Sequence, residues 1–375
     1  MEANKHFDEM HGKFGFGLMR LPMKGYEIDI PQVCEMVDAF IGAGLNYFDT
    51  AHGYHNGMSE TAFRESVAKR YSRDRFLITD KLTDPYFRSG ADIRPFFEKQ
   101  LEWCGVDYFD FYLMHAQGAI NYDKFKRCRA YETAFDLKKE GKIRHVGISF
   151  HDTAEVLERI LKDYPEIEIV QIQLNYLDYE DPAVQSRKLL EICEKYSKPV
   201  VVMEPVKGGS LVRIPPDAAR VFDEMGGASY ASYALRFAAG FDQVAMVISG
   251  MSDTGQMNDN ISFMADFKPL DEKEKGAVAR ACSVIKGLNA IPCTACRYCI
   301  EENHCPKDIS IPDLFACRNT KLIFNDWNQN YYYDEVYTVG HGKASDCIEC
   351  GMCERICPQH LPIREHLKEV AAVFE

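Results

Sequence analysis

Ten of the fourteen cysteines in this 375-residue chain fall between Cys282 and Cys357, and four precede them. Such a density serves either disulfides or metal. Disulfides belong to small secreted domains, yet residues 1–13 are polar with no apolar signal core, and the dense part follows a long, cysteine-poor globular stretch. Metal chemistry in a reducing compartment is therefore expected, in a two-part chain that is soluble and cytoplasmic. No run approaches the roughly 18 apolar residues of a spanning helix, so no membrane partner is expected. With 44 basic against 57 acidic residues the net charge is -13. A phosphate backbone is repelled, and nucleic acid is not an expected partner.

Ahead of the cysteines, short β-type runs alternate with longer helical patterns. Candidate strands cover residues 14–21, 46–50, 76–82, 109–115, 145–150, 169–175, 199–205 and 243–250. Between them apolar residues recur at helical spacing, as in Val33, Met36, Val37 and Phe40, or Leu189, Leu190, Ile192 and Cys193. Eight β-α units over about 250 residues is the rhythm of a closed parallel barrel. A doubly wound sheet would carry G-x-G-x-x-G after its first strand, and that string is absent there.

In such barrels the chemistry sits at the C-terminal ends of the strands. The second run closes on Asp49, with Tyr54 in the loop after it; the third reaches Lys81 and the fourth His115. A phenol is too weak an acid to protonate a carbonyl unaided near neutral pH. An ammonium beside it favours the phenolate and lowers its pKa, and a carboxylate keeps that ammonium charged and aimed. Asp49, Lys81 and Tyr54 suit those roles, and His115 would orient a substrate carbonyl by hydrogen bonding. His52 and His55 flank the tyrosine as pocket lining or loop filler.

Five strings carry a family resemblance: Asp49-Thr50-Ala51-His52-Gly53-Tyr54, Gly57-Met58-Ser59-Glu60, Lys81 at a strand end, Tyr112-Leu113-Met114-His115, and Lys142-Ile143-Arg144-His145-Val146-Gly147-Ile148-Ser149. Together they resemble the aldo/keto reductase family over roughly residues 14–266. The resemblance implies a (β/α)8 TIM barrel that reduces carbonyls with a nicotinamide cofactor, using Asp49, Tyr54, Lys81 and His115 as its tetrad. It also implies Ser149 and Gln173 at the nicotinamide carboxamide, and a cofactor loop that includes Gly250 and Asn260. Phe150 stands in place of the family's asparagine and Met203 in place of a stacking tyrosine. Gly250 and Gln256 replace the lysine and arginine that grip an adenosine 2'-phosphate, and nothing basic is left in that loop. A phosphate dianion without a cation binds weakly. These departures argue for NADH over NADPH, or for a flavin, in the barrel.

The cysteine-rich part holds Cys293-x2-Cys296-x2-Cys299-x5-Cys305-Pro306 and Cys347-x2-Cys350-x2-Cys353-x3-Cys357-Pro358. Two-residue gaps put three thiolates around one small loop, which suits three corners of a cubane. Zinc would use paired C-x2-C units and leave the third cysteine of each run without a role. This part resembles a bacterial-type two-cluster ferredoxin domain. The resemblance implies crossed ligation of two [4Fe-4S] clusters: Cys293, Cys296, Cys299 and Cys357 for one, Cys347, Cys350, Cys353 and Cys305 for the other. The five-residue gap before Cys305 is longer than the usual three. The 41 residues between Cys305 and Cys347 include Phe324, Trp327, Tyr331, Tyr332, Tyr333 and Tyr337. These aromatics are expected to pack the small domain onto the barrel, with a substrate channel as the alternative. Cys282, Cys317, Cys34, Cys104, Cys128 and Cys193 read as buried thiols.

The expected architecture is thus α/β: a barrel over residues 1–268, a helical linker over 269–290, and a small α+β two-cluster ferredoxin-like domain over 291–375. The expected activity is reduction of a carbonyl or related group on a small molecule, with Tyr54 as proton donor and the clusters relaying electrons. An external carrier such as ferredoxin is the expected electron partner. The alternative is an electron-transfer module whose barrel mainly binds a partner or cofactor. A hydride carries two electrons and each cluster exchanges one, which is the chemical reason a flavin stays in view.

Overall fold

The computed structural model describes residues 4–181, 184–288, 290–291, 293, 297–301, 305–324, 328–357 and 359–375. Cys296, Trp327 and Pro358 lie outside the described residues. The chain divides into two compact units, one holding Met1–Glu180, Val184–Leu211 and Ala228–Lys275, the other Asp181–Ala183, Val212–Gly227 and Gly276–Glu375.

In the first unit all eight expected runs become strands. In chain order these are β1 (Phe14–Gly17), then, after a short hairpin of β2 (Met23–Lys24) and β3 (Glu27–Ile28), β4 (Tyr47–Asp49), β5 (Leu77–Leu82), β6 (Phe109–Gln117), β7 (Ile143–Phe150), β8 (Ile169–Gln173), β9 (Val200–Met203) and β10 (Val244–Gly250). The parallel strands close in the order β1-β10-β9-β8-β7-β6-β5-β4. The first run is shorter than its apolar pattern because Leu18–Arg20 turns as a 3-10 helix at the rim.

Side chains alternate across a strand, so each strand feeds two cores. Tyr47, Leu77, Phe111, Leu113, Ile169, Val201 and Met246 fill the barrel, joined by Phe7 and Met10 from the N-terminal segment. Phe48, Ile78, Tyr112, Ile148, Val170 and Val202 face outward and pack on the helices. Room inside is tight. A Cβ on Gly147 would lie 2.5 Å from Ile169 Cγ2 and 2.7 Å from Leu113 Cδ2, so the glycine lets both fill the interior. The inward phase continues to the rim: Asp49 follows Tyr47, Lys81 follows Leu77 and Thr79, and His115 follows Phe111 and Leu113.

The second unit is built around the helices Ile311–Phe324 and Ile363–Phe374. Its core includes Ile309, Leu314, Phe315, Leu367 and Val370. Tyr333, from the aromatic stretch, turns into this core: it stacks on Phe374 at 4.5 Å, donates to Glu375 Oε1 at 2.5 Å and accepts from the Ala344 amide at 3.0 Å. Tyr331 and Tyr332 are exposed. Among the described residues no helix is long and apolar enough to cross a membrane.

Candidate active site

Lys81 is fully buried, yet its ammonium is not alone. Nζ donates to Asp49 Oδ1 at 2.7 Å and to the Thr50 carbonyl at 2.7 Å, and lies 3.4 Å from Tyr54 Oη. Gln171 Nε2 donates to Asp49 Oδ2 at 3.0 Å, so both carboxylate oxygens are engaged. Burial pushes the Lys81 amine down, but the Asp49 charge and the Tyr54 phenol outweigh it and hold the group above its ordinary value.

The phenol departs from the expectation based on charge alone. Burial raises Tyr54, the Lys81 charge pulls it back, and the net position stays above the ordinary tyrosine value because desolvation at this rim exceeds the attraction of one ammonium. Tyr54 is accordingly a neutral phenol with a proton to give. His115 Nδ1 is paired with Thr83 Oγ1 at 2.7 Å, and its ring meets Tyr54 edge-on with centroids 6.0 Å apart. Burial first, then the charges of Lys81 and His151, hold the imidazole well below its ordinary value and keep it neutral. The turn after Tyr54 carries His55 and Asn56 at φ 50° and 54°, a left-handed conformation that costs energy without glycine. His55 Nε2 accepts from the Leu21 amide at 3.1 Å and ties this turn to the β1 loop.

The four positions expected around a cofactor differ in what they offer. Ser149 is buried at the end of β7 and its hydroxyl has no hydrogen-bond partner among the described residues. Such an orphan is rare and suits the amide of a bound carboxamide. Gln173 Nε2 donates to Asp178 Oδ2 at 2.8 Å, and Asp178 Oδ1 also takes Lys207 at 2.7 Å. Asn260 turns inward and donates to Ser249 Oγ at 3.2 Å. Gly250 is exposed and carries the stem of Arg20: a Cβ there would lie 2.8 Å from Arg20 Cγ. The loop's own residues include no basic one, but Arg20, from the other end of the barrel sequence, lies against it. Gln171, Thr83 and Arg20 were not singled out from sequence. Gln171 shares the face of Gln173, two positions on, and period-2 reading could have found it; Arg20 left no such signal.

In the second unit, Cys305, Cys347, Cys350 and Cys353 line one pocket, whose other walls include Ile309 and Leu367. Cys293, Cys299 and Cys357 line another, walled by Phe315, Leu361 and Ile363. Cys305 thus sits with the second cysteine run and Cys357 with the first. Thiols converging in an apolar cup, with no disulfide among them, match the donor chemistry of an iron–sulfur cluster.

A closed parallel barrel with Asp49, Tyr54, Lys81 and His115 gathered on its C-terminal rim, followed by a cysteine-lined unit, defines a two-part redox enzyme. The aldo/keto reductase family matches residues 13–281 and a 4Fe-4S dicluster domain matches residues 292–362. The chain belongs to the aldo/keto reductase family and is an oxidoreductase with an iron–sulfur domain. It is 27% identical over 270 residues to an uncharacterized oxidoreductase of Bacillus subtilis, covering 64% of this chain and 84% of that protein. It is 26% identical over 200 residues to the NADH-specific methylglyoxal reductase of Escherichia coli, covering 48% of this chain and 58% of that protein. An aldo-keto reductase from Bacillus halodurans in its holo form superposes with a TM-score of 0.58 at 25% identity, over 72% of this chain and 91% of that one. For an aldo-keto reductase from Klebsiella pneumoniae in complex with NADPH the TM-score is 0.59 at 22% identity, over 72% and 90% of the two chains, a likeness of fold.

Asp80 faces outward from β5, the opposite phase from Lys81. Its carboxylate meets Glu60 and Cys104, with one polar atom of each within 4.8 Å of the others. Asp80 Oδ1 accepts from the Lys81 amide at 2.8 Å, Glu60 Oε2 is paired with His52 Nδ1 at 2.6 Å, and Gln100 Nε2 donates to both Glu60 Oε1 and the Lys81 carbonyl at 3.1 Å. Burial pushes Glu60 up from 4.5 to about 7, and burial with the Glu60 charge pushes Asp80 well above its ordinary range. In the unfolded chain Glu60 releases its proton near 4.5; the folded state keeps it until about 7. The stabilisation this gives is full below 4.5 and is lost as pH rises through about 7. Glu60→Gln, which carries no proton to lose, should raise the thermal midpoint at pH 8 by a few degrees, and the gain should shrink by pH 5. Calorimetric scans at both pH values check this, and an equal gain at both would mean that Glu60 titrates like an exposed acid.

Proposed function

We propose that the barrel reduces the carbonyl of a small molecule, with Tyr54 as proton donor and a nicotinamide, NADH in preference to NADPH, as its cofactor. The observation that carries this reading is the buried ammonium of Lys81, bonded to Asp49 at 2.7 Å and 3.4 Å from Tyr54 Oη. A bound nicotinamide supplies the hydride to the carbonyl carbon, and iron–sulfur clusters supply or accept single electrons. Tyr54 gives its phenolic proton to the carbonyl oxygen as negative charge develops there. The phenolate left behind faces the Lys81 ammonium, whose charge Asp49 keeps in place. When the Thr83 hydroxyl donates to His115 Nδ1, the imidazole proton sits on Nε2 and can hold the carbonyl oxygen. Ser149, with its unpartnered hydroxyl, would take the nicotinamide amide, and Gln173 would flank it.

Support for the cofactor and substrate class comes from relatives whose names include an NADH-specific methylglyoxal reductase of Escherichia coli and a glyoxal reductase of Bacillus subtilis, the latter 30% identical over 202 residues. Two [4Fe-4S] clusters would be held crosswise, by Cys293, Cys296, Cys299 and Cys357 and by Cys347, Cys350, Cys353 and Cys305, and would connect the enzyme to an external carrier such as ferredoxin.

Two experiments test the two halves. Tyr54→Phe should lower turnover of methylglyoxal with NADH by about 10²- to 10⁴-fold, the range for losing a general acid, while the Kd for NADH changes little. Unchanged turnover would place the chemistry elsewhere. Anaerobically purified Cys357→Ser, assayed for iron and by electron paramagnetic resonance after reduction, should lose or alter the cluster of Cys293, Cys296 and Cys299 and keep the other. The reverse pattern would contradict crossed ligation.

A further inference from the structure

The β10 loop lacks a cation of its own, and the structure supplies one from β1. Arg20 closes the turn Leu18–Arg20 on the C-terminal rim. Its stem lies on Gly250, where a Cβ would fall 2.8 Å from Arg20 Cγ and 3.0 Å from Arg20 Cβ, so any residue but glycine would displace it. Ser252 Oγ donates to the Arg20 carbonyl at 2.8 Å and fixes the turn from the other side. The guanidinium then points along the rim toward the turn Lys207–Val212 after β9, with Nη2 3.8 Å from where a Gly208 Cβ would be. Gly208 and Gly209 are both left-handed, at φ 61° and 97°, and their bare backbone lets a ligand approach closely.

Arg20 is exposed and forms no ion pair or guanidinium hydrogen bond among the described residues. Glu204 Oε2 stands 3.6 Å from the same Gly208 point and accepts no ion pair from it. The residues near Arg20 on the helix side are already committed: Gln256 Oε1 accepts from the Ser252 amide at 2.9 Å and Gln256 Nε2 donates to Asp253 Oδ2 at 2.8 Å. The free donors of Arg20 face the β9 turn, where the Glu204 carboxylate flanks the same point and a bound anion would have to share the cation with it.

We propose that Arg20 donates to the pyrophosphate of the dinucleotide cofactor, across the β9 and β10 loops. This rests on the nicotinamide reading above. A nicotinamide held at Ser149 on β7 and passing Met203 on β9 brings its pyrophosphate next to the β9 and β10 loops in the order of the barrel, where the guanidinium sits. The pyrophosphate is common to NADH and NADPH, so Arg20 provides the anion grip without conferring a preference for the 2'-phosphate. A planar fork of donors suits such an oxyanion pair better than an ammonium does.

The test is calorimetric titration of the anaerobically purified full chain with NADH, NADPH and ADP-ribose, for wild type, Arg20→Gln and Arg20→Lys. A charge-assisted bond of this kind is worth about 10- to 100-fold in Kd. Arg20→Gln should weaken NADH and ADP-ribose binding by that factor, with NADPH weakened equally, and Arg20→Lys should recover part of it. The unliganded thermal midpoint should not move, since Arg20 is exposed and a merely structural role would show there. Unchanged binding of NADH to Arg20→Gln overturns the proposal, and a loss confined to NADPH reassigns Arg20 to the 2'-phosphate and overturns it equally. If wild type binds none of the three, the nicotinamide reading itself fails and takes this proposal with it; binding by wild type with no effect of the variant fails this proposal alone.

Discussion

The active rim depends on one buried charge. An ammonium taken out of water costs several kcal/mol unless a counter-charge and hydrogen bonds replace the solvent. Lys81 meets that requirement through Asp49 on the neighbouring strand and the Thr50 carbonyl just beyond it. Strand register makes this possible: Asp49 pairs with Thr79 across β4 and β5, which leaves the Lys81 side chain, two residues on and in the same phase, directly above the carboxylate. Gln171, from β8 on the far side of the barrel, closes the second oxygen of Asp49. The pair is therefore set by the backbone of the barrel and not by loop conformation.

Alternation on β5 gives the site a second electrostatic layer. Lys81 points in and Asp80 points out, so the strand that delivers the cation also buries an acid among the helices. Asp80 and Glu60 hold their protons more tightly than ordinary carboxyls, and Gln100 links Glu60 to the Lys81 carbonyl. The backbone that aims Lys81 is thus braced from behind by carboxyls that keep their protons above the ordinary range, Glu60 up to about 7. His52 belongs to this layer: it is bonded to Glu60 and stacked on Trp103 at 4.4 Å, consistent with lining and not with catalysis.

Much of this was legible because the barrel translates period 2 directly into position. Apolar runs of the right length gave eight strands, and the polar residue closing each run marked the rim, which is how Asp49, Lys81 and His115 stood out. The two cysteine runs were legible from spacing. What sequence could not supply was proximity between distant segments. Arg20 and Gly250 lie at opposite ends of the barrel sequence and meet only because β1 and β10 are neighbours at closure. The sign of the Tyr54 shift was hidden for a related reason: charge is visible in a sequence, but the desolvation that outweighs it depends on burial. The length of the first strand was overread since Leu18 and Leu21 are buried in a turn and not in the sheet.

If the Asp49–Lys81 pair acts through the Tyr54 phenol, removing the pair and removing the phenol should not have independent effects. A cycle of kcat for carbonyl reduction measures this, using the charge-neutral pair Asp49→Asn/Lys81→Met, which leaves no lone buried charge, Tyr54→Phe, and the combination of all three. The account predicts that the combined variant is no slower than Tyr54→Phe. Losses that multiply would contradict it, and would mean that the buried ion pair serves the reaction by a route that does not pass through Tyr54.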